Sequence, residues 1–185
     1  MKKLAVIFPG IGYHTDKPLL FYSKKLAKQY GCEVLEVPYK DLFKNAADPE
    51  KKLEAAFLSA FAQTEEMLKS VPFEAYDRVL FISKSIGTVV ASAYAKKYGL
   101  QVYHILYTPV ENTFSFSPQQ GIVFHGTAVP MADTELVKHA CEQRDLPLYL
   151  DENGNHSLET GEVLQDLEIL LRVMEQTKIQ IERVL

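Results

Sequence analysis

The stretch Arg78-Val-Leu-Phe-Ile-Ser-Lys-Ser-Ile-Gly-Thr-Val-Val-Ala-Ser-Ala-Tyr-Ala95 passes from strand to helix with almost no connecting residues. Val79, Leu80, Phe81 and Ile82 form an unbroken β-favouring apolar run, the pattern of a strand buried on both faces of a parallel sheet. Val89, Val90, Ala93 and Tyr94 then recur at helical spacing, and Gly99 is placed to close the helix as a left-handed cap. Between them lies Ser83-Lys84-Ser85-Ile86-Gly87, with small residues two before and two after Ser85. Those small residues let the strand and helix backbones approach in a tight turn. Such a turn pushes the Ser85 side chain out at the carboxyl end of the sheet and aims the first free N–H groups of the helix at whatever the serine attacks. The stretch therefore reads as a site for a nucleophile.

The rest of the chain alternates short apolar runs with helical patterns, the mark of a parallel sheet with crossover helices. About six strands are expected: Leu4 to Phe8, Glu33 to Val37, the central run, Val102 to Tyr107, Gly121 to His125, and Leu148 to Leu150. Strand one should lie between strands two and three in a doubly wound order. A first helix is predicted with Asp16 as its cap, Pro18 in its first turn, and Leu19, Tyr22, Leu26 and Tyr30 facing inward. A second is predicted to start at Asp48-Pro49, with Leu53, Phe57, Phe61, Thr64 and Leu68 on its apolar face and Pro72 as its stop. After the fourth strand, Thr108 to Pro118 holds two prolines and no helical period, which reads as a loop. A helix from about Asp133 to Arg144 should turn Leu136, Val137, Ala140 and Cys141 inward. The last helix should bury Val163, Leu167, Leu170, Leu171 and Met174 ahead of a fraying charged tail.

A chain of 185 residues with 47% apolar content is one domain, residues 1–185, with a single core. The net charge of −4 and the isoelectric point near 5.8 argue against a nucleic-acid surface, because Lys and Arg are spread beside Glu instead of forming a stripe. The apolar run at the amino terminus stops at Pro9-Gly10, too short for a secretory or membrane-spanning segment, so a cytoplasmic location is expected. Cys32 and Cys141 have no metal-type spacing and read as buried reduced thiols. No metal site is expected, and the oligomeric state is not legible.

A second loop belongs at the same sheet edge as Ser85, where ligands of open α/β sheets bind. Asn153-Gly-Asn-His-Ser-Leu-Glu159 puts His156 in a glycine turn between the last strand and the last helix, free to reach across to the serine. These features carry a resemblance. The turn at Ser85 resembles the Gly-x-Ser-x-Gly nucleophile elbow of the α/β-hydrolases, with Ser83 in place of the first glycine. The phrase His-Ser-Leu-Glu is similar to one in small serine hydrolases and in the dienelactone hydrolase group. The resemblance spans nearly the whole chain and implies a three-layer α/β/α sandwich, a minimal α/β-hydrolase fold of about six mostly parallel strands.

The resemblance also implies a third catalytic member and an oxyanion hole. After the fifth strand, His125-Gly-Thr-Ala-Val-Pro-Met-Ala-Asp133 is similar to a His-Gly-Thr-x-Asp-Pro pattern whose aspartate orients the histidine, but Val129 stands at that position. Asp133, in the same loop, is the first choice for the displaced acid, although it is equally suited to cap the next helix. Glu111 is the next candidate, and Asp151 and Glu152 are more remote. The oxyanion donors implied are the backbone N–H groups of Ile86 and of Ile11, with Gly12 as fallback to Ile11. The rival reading of Gly10-Ile-Gly12 as a dinucleotide loop fails at Thr15, where the fingerprint needs a third glycine, so no cofactor is expected.

His14 and Tyr13 read as pocket walls, His125 as a supporting group, and His104 and His139 as structural or solvated. With no insertion large enough for a lid, only the segment from Val110 to Gln120, with Phe114 and Phe116, is left to shape the acyl side. The expected activity is hydrolysis of a small ester or thioester through an acyl-enzyme on Ser85. A degenerate fold kept as a binding module is the alternative.

Overall fold

The computed structural model describes residues 1–42, 51–130 and 132–185. Six strands form one sheet: β1 (Lys3–Phe8), β2 (Glu33–Glu36), β3 (Arg78–Lys84), β4 (Tyr103–Tyr107), β5 (Gly121–Gly126) and β6 (Leu148–Asp151). Their order is β2-β1-β3-β4-β5-β6, and each neighbouring pair is parallel. The helices are α1 (Pro18–Gln29), α2 (Lys52–Leu68), α3 (Ile86–Lys97), α4 (Thr134–Glu142) and α5 (Val163–Val184), with a short 3₁₀ turn at Glu111–Phe116 in the segment read as a loop. The start expected for the second helix at Asp48-Pro49 lies outside the described residues.

The unbroken apolar runs are buried on both sheet faces, which is why they do not alternate with polar residues. On one face Ala5, Ile7, Leu80, Ile82, Ile105 and Phe124 pack under α1 and α5. On the other, Leu4, Val6, Phe8, Val79 and Phe81 meet Ala60 of α2 and Val90 and Tyr94 of α3, while Leu106 and Val123 meet Val137 and Cys141 of α4. The first face also encloses a polar chain in which the Tyr107 hydroxyl bonds Ser23 Oγ of α1 at 2.8 Å and Thr177 Oγ1 of α5 at 2.6 Å. These bonds satisfy groups that would otherwise be costly to bury and fix both helices over the centre of the sheet.

Several helices sit rotated from the faces their sequences suggest. In α1 the buried residues are Leu19, Leu20, Ser23, Lys24 and Ala27, while Tyr22 is exposed. Its N-cap position is Lys17, because Asp16 is drawn to Lys24 Nζ at 3.1 Å, an ammonium that also reaches Glu36 at 3.0 Å. In α2 the small residues Ala56 and Ala60 face in, letting the helix lie close to α3, while Leu53 is exposed. In α4, Leu136 is exposed while Val137 and Cys141 are buried. In α5 the buried stripe is Ile169, Val173, Thr177 and Ile181, and the richer leucine stripe of Val163, Leu167 and Leu171 faces solvent. The expected fraying tail is instead helical to Val184.

Candidate active site

Strand β3 ends at Lys84 and α3 begins at Ile86, leaving Ser85 alone to turn the chain, with φ 55° and ψ −125°. A left-handed φ on a residue with a side chain costs about 1–3 kcal/mol and persists only where its surroundings enforce it. The surroundings do so from three sides. Ser85 N–H donates to Tyr107 O at 3.1 Å, continuing the sheet to the serine itself. Its carbonyl accepts from Thr88 N–H at 2.8 Å and from Thr88 Oγ1 at 2.6 Å, and that hydroxyl in turn meets Thr113 Oγ1 at 2.6 Å. The third restraint is Gly87, where an added Cβ would lie 2.5 Å from the carbonyl oxygens of both Phe8 and Pro9. The start of α3 is therefore pressed against the Pro9–Gly12 loop.

That contact sets the start of α3, where Ile86 lies, against the loop that carries Ile11. Ile86 opens a helix whose first N–H groups have no intrahelical acceptor. Ile11 occupies the tip of a turn closed by Gly10 N–H to Tyr13 O at 3.0 Å and Tyr13 N–H to Gly10 O at 3.3 Å. Beside this turn lies a cleft of about 660 Å³ whose walls include Pro9, Ile11, His14, Pro38, Tyr39 and Leu42. Gly10 joins the cleft to the serine, since a Cβ built on it would stand 3.1 Å from Ser85 Cβ.

His156 comes from the loop after β6, and its Nε2 lies 2.8 Å from Ser85 Oγ. The loop is held by its own backbone chemistry. Asn155 Oδ1 accepts from Ser157 N–H at 2.7 Å and Glu159 N–H at 3.2 Å, while Thr108 Oγ1 at the end of β4 donates to His156 O at 3.0 Å. The neighbouring turn after β5 is stitched to it through Thr127 N–H to Asp151 O and Ala128 N–H to Gly154 O, each at 3.0 Å. Gly126 permits this, because a Cβ there would meet Gly154 O at 2.1 Å. The His-Gly-Thr segment thus serves as the frame for the histidine loop.

The carboxylates chosen for the acid, Asp133 and then Glu111, bond to backbone N–H groups and not to His156. Asp133 Oδ1 accepts Glu135 N–H at 2.8 Å and caps α4, and Glu111 Oε1 accepts Asp133 N–H at 3.4 Å. Asp151 pairs with Arg172 at 3.3 Å. His156 Nδ1 is buried and has no hydrogen-bond partner among the described residues. Val129, at the position where the resemblance puts an aspartate, is buried against Phe114 and Ala132. Phe114 and Phe116 are likewise spent on packing, the first in that cluster and the second stacked on Phe57 of α2 at 6.0 Å. The Val110–Gln120 segment braces α3 through Thr113 in place of shaping an acyl pocket.

Two further basic side chains, Lys84 and His125, act electrostatically on His156. Lys84 and His125 are fully buried, and Lys84 Nζ and both ring nitrogens of His125 lack hydrogen-bond partners among the described residues. Burial, with Lys84 and His125 adding repulsion, pushes the His156 imidazolium down to about 3. Burial also lowers His125, again with Lys84 contributing, and it brings the Lys84 ammonium down to about 7 against a weak pull from Glu159. His156 is thus a neutral imidazole near neutral pH, able to accept the Ser85 proton at Nε2 when its own proton sits on Nδ1.

Of the other histidines, His104 is buried edge-on to Phe81 at 5.9 Å, and His139 on α4 bonds Gln143 at 2.8 Å. His14 Nδ1 accepts from Asp16 N–H at 3.3 Å and lines the cleft. Both cysteines are free and buried. Among the described residues no group of His, Cys, Asp and Glu could hold a metal ion, and no helix is long and apolar enough to cross a membrane.

The parallel six-stranded sheet with this order, the strained serine between β3 and α3 and the histidine after β6 are those of an α/β-hydrolase fold. No protein-family model matches the sequence, and no curated protein is significantly similar to it. Solved structures are similar in fold. An α/β serine hydrolase without lid from Xanthomonas campestris aligns with a TM-score of 0.69 at 15% identity, over 98% of this chain and 81% of that one. An α-β serine hydrolase homologue from Coxiella burnetii gives 0.66 at 13% identity, over 95% and 84%. The esterase Pf2001 from Pyrococcus furiosus gives 0.63 at 15% identity, over 94% and 79%.

Proposed function

We propose that the protein is a serine hydrolase that cleaves a small ester or thioester through an acyl-enzyme on Ser85. The observation that carries this reading is the 2.8 Å contact between His156 Nε2 and Ser85 Oγ at a serine held in a left-handed turn. Ser85 Oγ attacks the acyl carbon, its proton passes to His156 Nε2, and the same proton then leaves with the alcohol or thiol. The N–H groups of Ile86 and Ile11 receive the oxyanion. Water repeats the sequence to release the acid. The cleft beside Ile11 is within the ordinary size range of small-ligand sites. The similar folds described as serine hydrolases and an esterase support the same class.

Turnover of p-nitrophenyl esters of increasing chain length tests this. The expected result is preference for short acyl groups, abolished in Ser85→Ala. Faster turnover of long chains than of acetate contradicts the small-acyl reading, and unchanged turnover in Ser85→Ala contradicts the nucleophile. The second reading is a hydrolase fold retained as a binding module, favoured by a His156 Nδ1 that has no partner among the described residues. It predicts no turnover of any ester in the series.

A further inference from the structure

Lys84 is the last residue of β3, beyond the apolar run Val79–Ile82 and one position before the nucleophile. Its side chain is 0% exposed, and among the described residues Nζ has no hydrogen bond and no ion pair. What it has is a ring, since Nζ lies 5.0 Å over the centre of Tyr13. Tyr13 is itself fixed, its hydroxyl accepting Leu19 N–H at 3.1 Å and its backbone closing the turn with Gly10. A cation–π contact offsets only part of the cost of burying an ammonium, so this lysine is costly to keep at this position.

Its titratable neighbours among the described residues come from three elements. Tyr13 faces it from the β1–α1 loop, His125 from β5, and Glu159 and His156 from the β6–α5 loop. Glu159 is exposed, so water screens most of its pull, whereas the two histidines are shielded and feel the lysine directly. During acylation His156 must carry a second proton. The Lys84 ammonium, one residue before the serine and acting on His156 through its charge, opposes the imidazolium, and a neutral amine does not.

We propose that Lys84 is a positioning residue of the reaction whose protonation governs whether His156 can accept the proton of Ser85. This rests on the hydrolase reading above. The lysine transfers no proton itself; it sets the field in which Oγ–H passes to Nε2. The lowered Lys84 ammonium, at about 7, puts the change inside the working pH range, well above the titration of His156.

The experiment is the pH profile of kcat and KM for p-nitrophenyl acetate between pH 5.5 and 9, with the nitrophenolate burst measured in parallel, in wild type, Lys84→Met and Lys84→Gln. Wild type should show kcat rising by about tenfold per pH unit below the Lys84 titration and levelling above it. In both variants that limb should vanish, so that at pH 6 they turn over faster than wild type by about tenfold, with KM little changed. A merely structural lysine would change activity by the same factor at every pH, and that outcome overturns the proposal while the burst upholds the hydrolase reading. A rising limb that survives in both variants overturns it equally. Absence of a burst in all three proteins at every pH overturns the hydrolase reading and this proposal together. Circular dichroism and Tm of the two variants separate misfolding from lost catalysis, and if one fails to fold the other supplies the profile.

Discussion

Asp133 accepts the N–H of Glu135 at 2.8 Å and starts helix α4, while the Nδ1 of His156 has no partner among the described residues. Asparagine caps a helix about as well as aspartate. Asp133→Asn should therefore leave kcat within about twofold of wild type and Tm unchanged, because neither the cap nor the proton path is disturbed. A fall in kcat on the order of 10⁴ at unchanged Tm would mean that this carboxylate orients the histidine after all.

Val129 lies in the turn that is stitched to the histidine loop by the Ala128 and Thr127 amides. Val129→Asp introduces a carboxylate there, able to hold the His156 tautomer and stabilise the imidazolium. We expect kcat near pH 8 to rise by about tenfold or more, with a lower Tm from burying the charge. A variant that folds and gains nothing shows that the turn does not present position 129 to Nδ1.

Gly87 holds the amino end of α3 against the carbonyls of Phe8 and Pro9, where a Cβ would lie at 2.5 Å. Gly87→Ala must push the start of α3, with Ile86, away from the loop that carries Ile11. Stability should fall by about 1–3 kcal/mol and kcat by about 10²-fold, with KM changed much less. Chemical denaturation and steady-state kinetics on the same sample check both, and full activity in the variant would remove the oxyanion hole from the account.

How much of this was legible in sequence depends on whether local chemistry or tertiary contact fixes the element. Strand β3, the turn at Ser85 and the start of α3 are fixed by small residues and an apolar run close together in the chain, and the His156 loop by Asn155 Oδ1 accepting the N–H of Ser157. The rotation of α5 was not legible. Its leucine stripe is the more apolar, yet Thr177 is drawn inward to the Tyr107 hydroxyl, a partner on a distant strand. Asp133 was ambiguous because capping a helix and orienting a histidine call for the same carboxylate. Thr108, which holds His156 from the end of β4, gave no local signal, whereas Lys84 did, as a charge directly after an apolar run and directly before the serine.

His104 is a neutral imidazole packed edge-on to Phe81, and burial lowers it from the ordinary 6.5 to about 4. A folded-state value below the unfolded one means that the unfolded chain binds the proton more readily. The stability this residue contributes is therefore full above pH 6.5 and is lost as pH falls through the window down to about 4. The loss from His104 alone is about 3 kcal/mol. Urea unfolding at pH 7.5 and pH 4 should show His104→Leu losing less stability on acidification than wild type by about that amount. Equal acid sensitivity in the two proteins would contradict the assignment.

The central claim is that Ser85 is a nucleophile activated by His156. A fluorophosphonate probe, followed by intact-mass and peptide mass spectrometry between pH 6 and 9, tests it most directly. The account predicts one adduct per chain, located on Ser85, absent in Ser85→Ala and slowed by about 10³-fold or more in His156→Ala. No adduct on folded protein at any pH in that range, or an adduct that forms equally fast without His156, would contradict it.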